Sequence, residues 1–187
     1  MRSITRRSFT LGAAAGGTLV LAGCSNAVGG PGPDIIEARV DSTLAFLSSR
    51  YPGTDELRRK STGMLVMPLI TEAGLGFGGS YGRGALRVGG VTVDFYSAAQ
   101  ATFGLQIGAQ QYSHVLFFMT DEALAGFRAS PGWAAGAEVE YALNDQGGNI
   151  AAETTTSLAP VIAVVFGQAG LIAGASLEGT KYTRIIP

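Results

Sequence analysis

Ile36, Val40, Leu44 and Leu47 recur at intervals of three and four, the spacing of one helix face, and predict a helix opening at Pro33 and Asp34. Asp34 is placed to cap it, with Glu37 three residues on in capping-box spacing. "PGTDELRRKSTG" predicts a short second helix: Thr54 at the cap, Asp55 and Glu56 in the first turn, Arg58, Arg59 and Lys60 in the last, and Gly63 beyond. Its charges complement the helix dipole at both ends. After Gly63 the period changes from helical to alternating. "MLVMPLIT" reads as an apolar strand, "VTVDFYS" puts Val91, Val93 and Phe95 on one face, and "AEVEYALN" turns Val139, Tyr141 and Leu143 inward with Glu138 and Glu140 outward, before "DQGGN" reverses the chain. "TDEALAGFRASPG" predicts one more helix with Leu124 and Phe127 facing in, closed by Pro131-Gly132, and the last 28 residues hold two or three further strands. The expected class is α+β: an antiparallel, glycine-rich, strongly curved or barrel-like sheet with N-terminal helices and one inserted helix.

Glycine sharpens this picture. Its 28 occurrences in 187 residues are about twice ordinary usage. Many fall in "GLGFGGSYGRGALRVGG" and "FGLQIGAQQ", where a strand without side chains can kink or admit another backbone closely. Gly74, Gly76 and Gly79 also satisfy G-x-G-x-x-G, with Asp94 twenty residues after Gly74, but the stretch that follows continues as strand rather than opening a helix. The context of a dinucleotide site is therefore missing.

The first 23 residues have a different character. "MRSITRRSFT" carries Arg2, Arg6 and Arg7 and no acid, and the uncharged run Leu11–Gly23 would reach about 20 Å as a helix, short of the roughly 30 Å hydrocarbon core. This is the layout of an export signal rather than a permanent span. "TRRSFTLG" resembles a twin-arginine export motif, and Leu21-Ala22-Gly23-Cys24 fits the bacterial lipobox. Residues 1–23 are thus expected to be removed, leaving Cys24, the one cysteine, to carry a lipid such as palmitate. Residues 24–33 are read as a flexible tether and 34–187 as a single domain. The nine residues "SNAVGGPGP" span at most about 30 Å, which keeps the domain near the bilayer. Ser25 after the cysteine favours the outer membrane, facing the periplasm.

Charge and chemistry narrow the function. Removing residues 1–23 takes three of the 13 basic residues and none of the 14 acidic ones, so the mature net charge is −4, unlike a nucleic-acid protein. Catalytic chemistry finds no footing: His114 is the one histidine and reads as a surface or rim residue of a strand. Ser113 beside it points to the opposite face. Glu138 and Glu140 read as a solvated strand face. No catalytic residue, metal ligand or cofactor is expected, and the protein is not expected to be an enzyme. Basic residues cluster instead: Arg50 to Arg87 holds six cations (Arg50, Arg58, Arg59, Lys60, Arg83, Arg87) against three acids, whereas Val88 onward holds three against eight. A basic cluster beside a bilayer contributes about 1 kcal/mol per residue on anionic lipid.

Three stretches, "GLGFGGSYGRGAL", "ATFGLQIGAQQYSHVLFFMTDEAL" and "GLIAGASLEGTKYTRI", resemble the SYLF domain, a lipid-binding module linked in eukaryotes to actin-patch proteins. The likeness extends from about Asp34 to Ile186. It implies a domain without catalysis that binds acidic membrane lipids, partly through a basic N-terminal helical region, to which Arg58, Arg59 and Lys60 correspond by position and character. Arg83 and Arg87 are further lipid-binding candidates from the charge pattern. The expected function is that of a membrane-anchored bacterial lipoprotein binding anionic phospholipids at the cell envelope. The alternative is an envelope scaffold that binds a protein partner through its sheet or its acidic half.

Overall fold

The structure, a computed structural model, describes residues 32–141, 159–167, 170–171 and 177–187. The export signal, Cys24, Leu143 and the "DQGGN" turn lie outside these residues. Helix α1 runs Gly32–Arg50 and α2 Thr54–Lys60; two long strands follow, β1 Gly63–Val88 and β2 Val91–Phe118. Helix α3 (Asp121–Ala129) precedes five short strands, β3 Trp133–Ala134, β4 Val139–Tyr141, β5 Val161–Gly167, β6 Gly170–Leu171 and β7 Lys181–Ile185. Among the described residues one seven-stranded sheet of order β3-β7-β2-β5-β4, with β1 beside β2 and β6 beside β5, curls into a half-barrel. All its pairings are antiparallel except β4 with β5. The expected α+β class, N-terminal helices and inserted helix are all present.

Helix α1 begins earlier than expected. Pro33 sits inside its first turn, where a missing N–H is no loss, and Asp34 occupies that turn instead of capping it. Glu37 turns sideways to Arg87 rather than back to the helix start. At α2 the N-cap is Gly53, with no side-chain cap, and the Thr54 hydroxyl donates to the Tyr51 carbonyl at 2.7 Å.

The strands read separately in the sequence are parts of one long hairpin. Gly89 (φ 60°) and Gly90 (φ 85°) close it as a two-residue turn with both residues left-handed, and pairing runs from Val88↔Val91 out to Gly63↔Phe118. Three register shifts, at Met67/Ile70, Leu75/Phe77 and Leu86/Arg87, bend it. The bend is so strong that one edge of β2 serves two partners, β7 along residues 95–99 and β5 along 113–118. It also brings the halves of β1 face to face. Gly84 abuts the Val66 carbonyl and Gly82 the Leu69 carbonyl, and a Cβ at either position would collide with backbone. The glycines do here what the sequence suggested: they admit a second backbone.

Two cores result. The inner face of the curl buries Leu65, Met67, Leu86, Tyr96, Leu116 and Tyr182 against α3, whose Leu124 and Phe127 point in as expected. Phe127 lies at the centre of that core, its ring 4.8 Å from those of Tyr96 and Phe118 and 5.4 Å from that of Trp133. The Thr120 hydroxyl caps α3 by accepting from the Ala123 amide at 3.2 Å. The outer face buries Ile36, Val40, Leu44 and Leu47 of α1 and Leu57 of α2 against Val66, Val115, Phe117 and Val164. Val139 and Tyr141 pack on the inner core, as the alternation in their strand indicated.

The expected row Val91, Val93 and Phe95 is inward only in part. Phe95 packs on the outer core, whereas Val91 (66 % exposed) and Val93 (40 %) sit at the hairpin end, next to the Leu86/Arg87 register shift.

Candidate lipid-binding surface

Helix α2 is short, and its placement follows from two buried residues. Thr54 and Leu57, one turn apart, face the outer core, which leaves Arg58, Arg59 and Lys60 exposed on the last turn. The helix is tied to α1 by the Ser48 hydroxyl, which donates to the Asp55 carboxylate at 2.9 Å, and the turn between them is closed by the Thr54 amide, which donates to the Tyr51 carbonyl. The Ser61 amide closes its end on the Leu57 carbonyl at 2.9 Å.

Within the triad the cations differ. Lys60 pairs with Glu56 at 2.7 Å, and its hydrogen bond and charge hold the Glu56 carboxyl below the usual carboxylate range. Both groups are solvent-exposed, so the pair adds little to stability. Arg58 and Arg59 have no ion-pair partner among the described residues. The triad therefore presents its charge to solvent, with its stems fixed on a helix.

Arg83 and Arg87 belong to a different element, the second half of β1. Arg83 is half-buried. Arg87 is only 13 % exposed and is clamped by two carboxylates of α1, Glu37 at 2.8 Å and Asp41 at 2.7 Å. Its charge fastens α1 to the sheet.

The sequence missed the place of His114. The expected rim residue is fully buried on the inner face. Its Nε2 is 2.9 Å from the Tyr182 hydroxyl, and its Nδ1 is buried without a partner. Burial lowers its pKa to about 3, and burial likewise raises that of Tyr182 well above the ordinary phenol value. Both rings are thus neutral and act as core. Ser113 does face away, donating to the Pro68 carbonyl at 2.7 Å. The signal in the sequence was the apolar row Tyr112, Leu116 and Phe118, which shares its face with position 114.

Glu138 immediately precedes β4, where its carboxylate lies over Gly136, and Glu140 is the middle residue of that strand. Among the described residues no group of three or more His, Cys, Asp or Glu side chains could hold a metal ion, and no helix is long and apolar enough to cross a membrane.

The family comparison covers the later part of the chain. Residues 99–184, from the first third of β2 into β7, match the family model Ysc84, described as "Las17-binding protein actin regulator". The matched segment includes α3 and the His114–Tyr182 pair but not α1, α2 or the five candidate cations. No curated protein matches the chain. The matched stretch takes in one of the three segments that resemble the SYLF domain and all but the last residue of another, so that residues 99–184 are similar to the Ysc84 (SYLF) domain.

Proposed function

We propose that this protein is an exported bacterial lipoprotein, anchored through Cys24, whose non-catalytic SYLF domain binds acidic phospholipids of the cell envelope through Arg58, Arg59 and Lys60. The observation that carries the reading is the triad itself: three adjacent exposed cations at the end of a helix held by Thr54 and Leu57, two of them without an ion pair among the described residues. A domain tethered within about 30 Å of a membrane meets headgroups at high effective concentration, so a weak charged contact suffices. In this reading Ser25 directs the anchor to the outer membrane, with the domain in the periplasm, and the twin-arginine motif is the export route. Metabolic labelling with palmitate tests the anchor: incorporation that persists in Cys24→Ser would refute it. For the domain, vesicle binding by the arginine and lysine variants described below is the test.

The family description favours a second reading, because the matched proteins are named for binding a protein. Here the domain would be an envelope scaffold that holds a protein partner through its sheet or acidic half. Recovery of one specific envelope protein with the wild-type chain, together with indifference to lipid charge, would favour it.

A further inference from the structure

Helix α1 is polarised from side to side. Its inward stripe is Ile36, Val40, Leu44 and Leu47. On one flank Asp34, Glu37 and Asp41 follow at helical spacing, and the last two hold Arg87. Ser48, on the same flank, holds α2 through Asp55. The other flank carries Arg39, Ser42, Phe46 and Arg50, with no acidic residue. Both arginines are exposed, and neither has an ion pair among the described residues.

That flank borders an open groove of about 180 Å³ between α1 and the sheet, lined by Ser42, Thr43, Phe46, Ser113, Phe166 and Gly167. Its lining is mostly apolar. Phe46 and Phe166 stack at 5.9 Å to form the floor, and Phe46 remains 39 % exposed. The groove is smaller than the roughly 300–1,000 Å³ of ordinary small-molecule sites. It is large enough for a stretch of one aliphatic chain and too small and apolar for a headgroup. Arg39 lies one turn before the groove-lining residues of α1 and Arg50 one turn after them, so a cation stands toward either end.

We propose that this groove binds a single-chain anionic amphiphile of the lysophospholipid class, its chain laid over the Phe46–Phe166 floor and its charged head on Arg39 or Arg50. The site is on the flank of α1 opposite the one that holds α2, so it is distinct from the Arg58–Lys60 surface and either can fail alone. It adds to surface attraction the capture of a monomer.

The test is calorimetric titration of the full 187-residue chain carrying Cys24→Ser with twelve-carbon lysophosphatidate, below micelle formation, beside twelve-carbon lysophosphatidylcholine. The parent should bind the anionic compound at least fivefold more tightly. Ser42→Trp, at an exposed helix position, fills the groove and should weaken both compounds tenfold or more. Arg39→Gln with Arg50→Gln should remove the preference between them while leaving the zwitterionic compound within twofold. Arg58→Gln, Arg59→Gln and Lys60→Gln together should leave the titration unchanged, even where they abolish vesicle binding. Undiminished binding by Ser42→Trp, no preference for the anionic head in the parent, or no binding by the parent would each overturn the proposal.

Discussion

The two faces of the curled hairpin bury apolar surface in different ways. The inner face is sealed: α3 inserts Phe127 among Tyr96, Phe118, Trp133 and Tyr182, and even His114 is enclosed without a partner for Nδ1. The outer face is covered by a layer of two helices, so every position not facing the sheet is free to carry charge. The comparison teaches where the properties of the molecule reside. The inside of the curl holds only core, and the recognition proposed above is placed on the helices outside it.

The strongest way to break that division is at the curl itself. Gly84→Val forces side-chain atoms into the Val66 carbonyl, which neither backbone can vacate without unbending β1. A loss of about 4 kcal/mol or more is expected, read as a collapse of the urea midpoint, or as failure to fold. A midpoint close to wild type would mean the two halves of β1 do not meet closely.

His114 sharpens the same comparison through pH. Its folded pKa of about 3 lies below the ordinary 6.5, so the unfolded chain binds the extra proton first. The stability of the neutral ring is fully present above about pH 6.5 and is lost as pH falls toward 3, at up to about 1.4 kcal/mol per unit. Denaturant titrations at pH 7 and pH 5 should show this drop in wild type and a smaller one in His114→Gln. Equal drops would place the ring in contact with water.

Arg87 tests the boundary between the faces. Arg87→Gln leaves Glu37 and Asp41 without their cation and should cost about 1 kcal/mol, since Asp41 is well exposed and the pairs are partly screened. Vesicle binding should be unaltered. A loss of binding without loss of stability would move Arg87 from the clamp to the lipid surface.

How much of this was legible in the sequence follows from the range of each interaction. Helices α1, α2 and α3 were readable because Ile36, Val40, Leu44, Leu47, Leu124 and Phe127 repeat locally, within one turn of one another. The long hairpin was not, because the Gly89-Gly90 turn is one glycine pair among many and only the pairing of residues up to 55 positions apart distinguishes it. The candidate triad was visible as a charge run. That Arg87 differs from it was hidden, because Glu37 and Asp41 lie about 50 residues away in sequence. His114 was misplaced for the same reason: its partner, Tyr182, comes from β7.

The smallest expected effect on stability accompanies the largest on binding. Arg58→Gln, Arg59→Gln and Lys60→Gln together should shift stability by no more than about 0.5 kcal/mol, since all three are surface positions. The decisive measurement is flotation of residues 24–187 carrying Cys24→Ser with vesicles that differ only in anionic phospholipid, at low and at physiological salt. The account predicts binding that rises with anionic lipid, weakens with salt and is lost in the triple variant. Equal flotation of wild type and triple variant, or none by wild type at low salt, would contradict it.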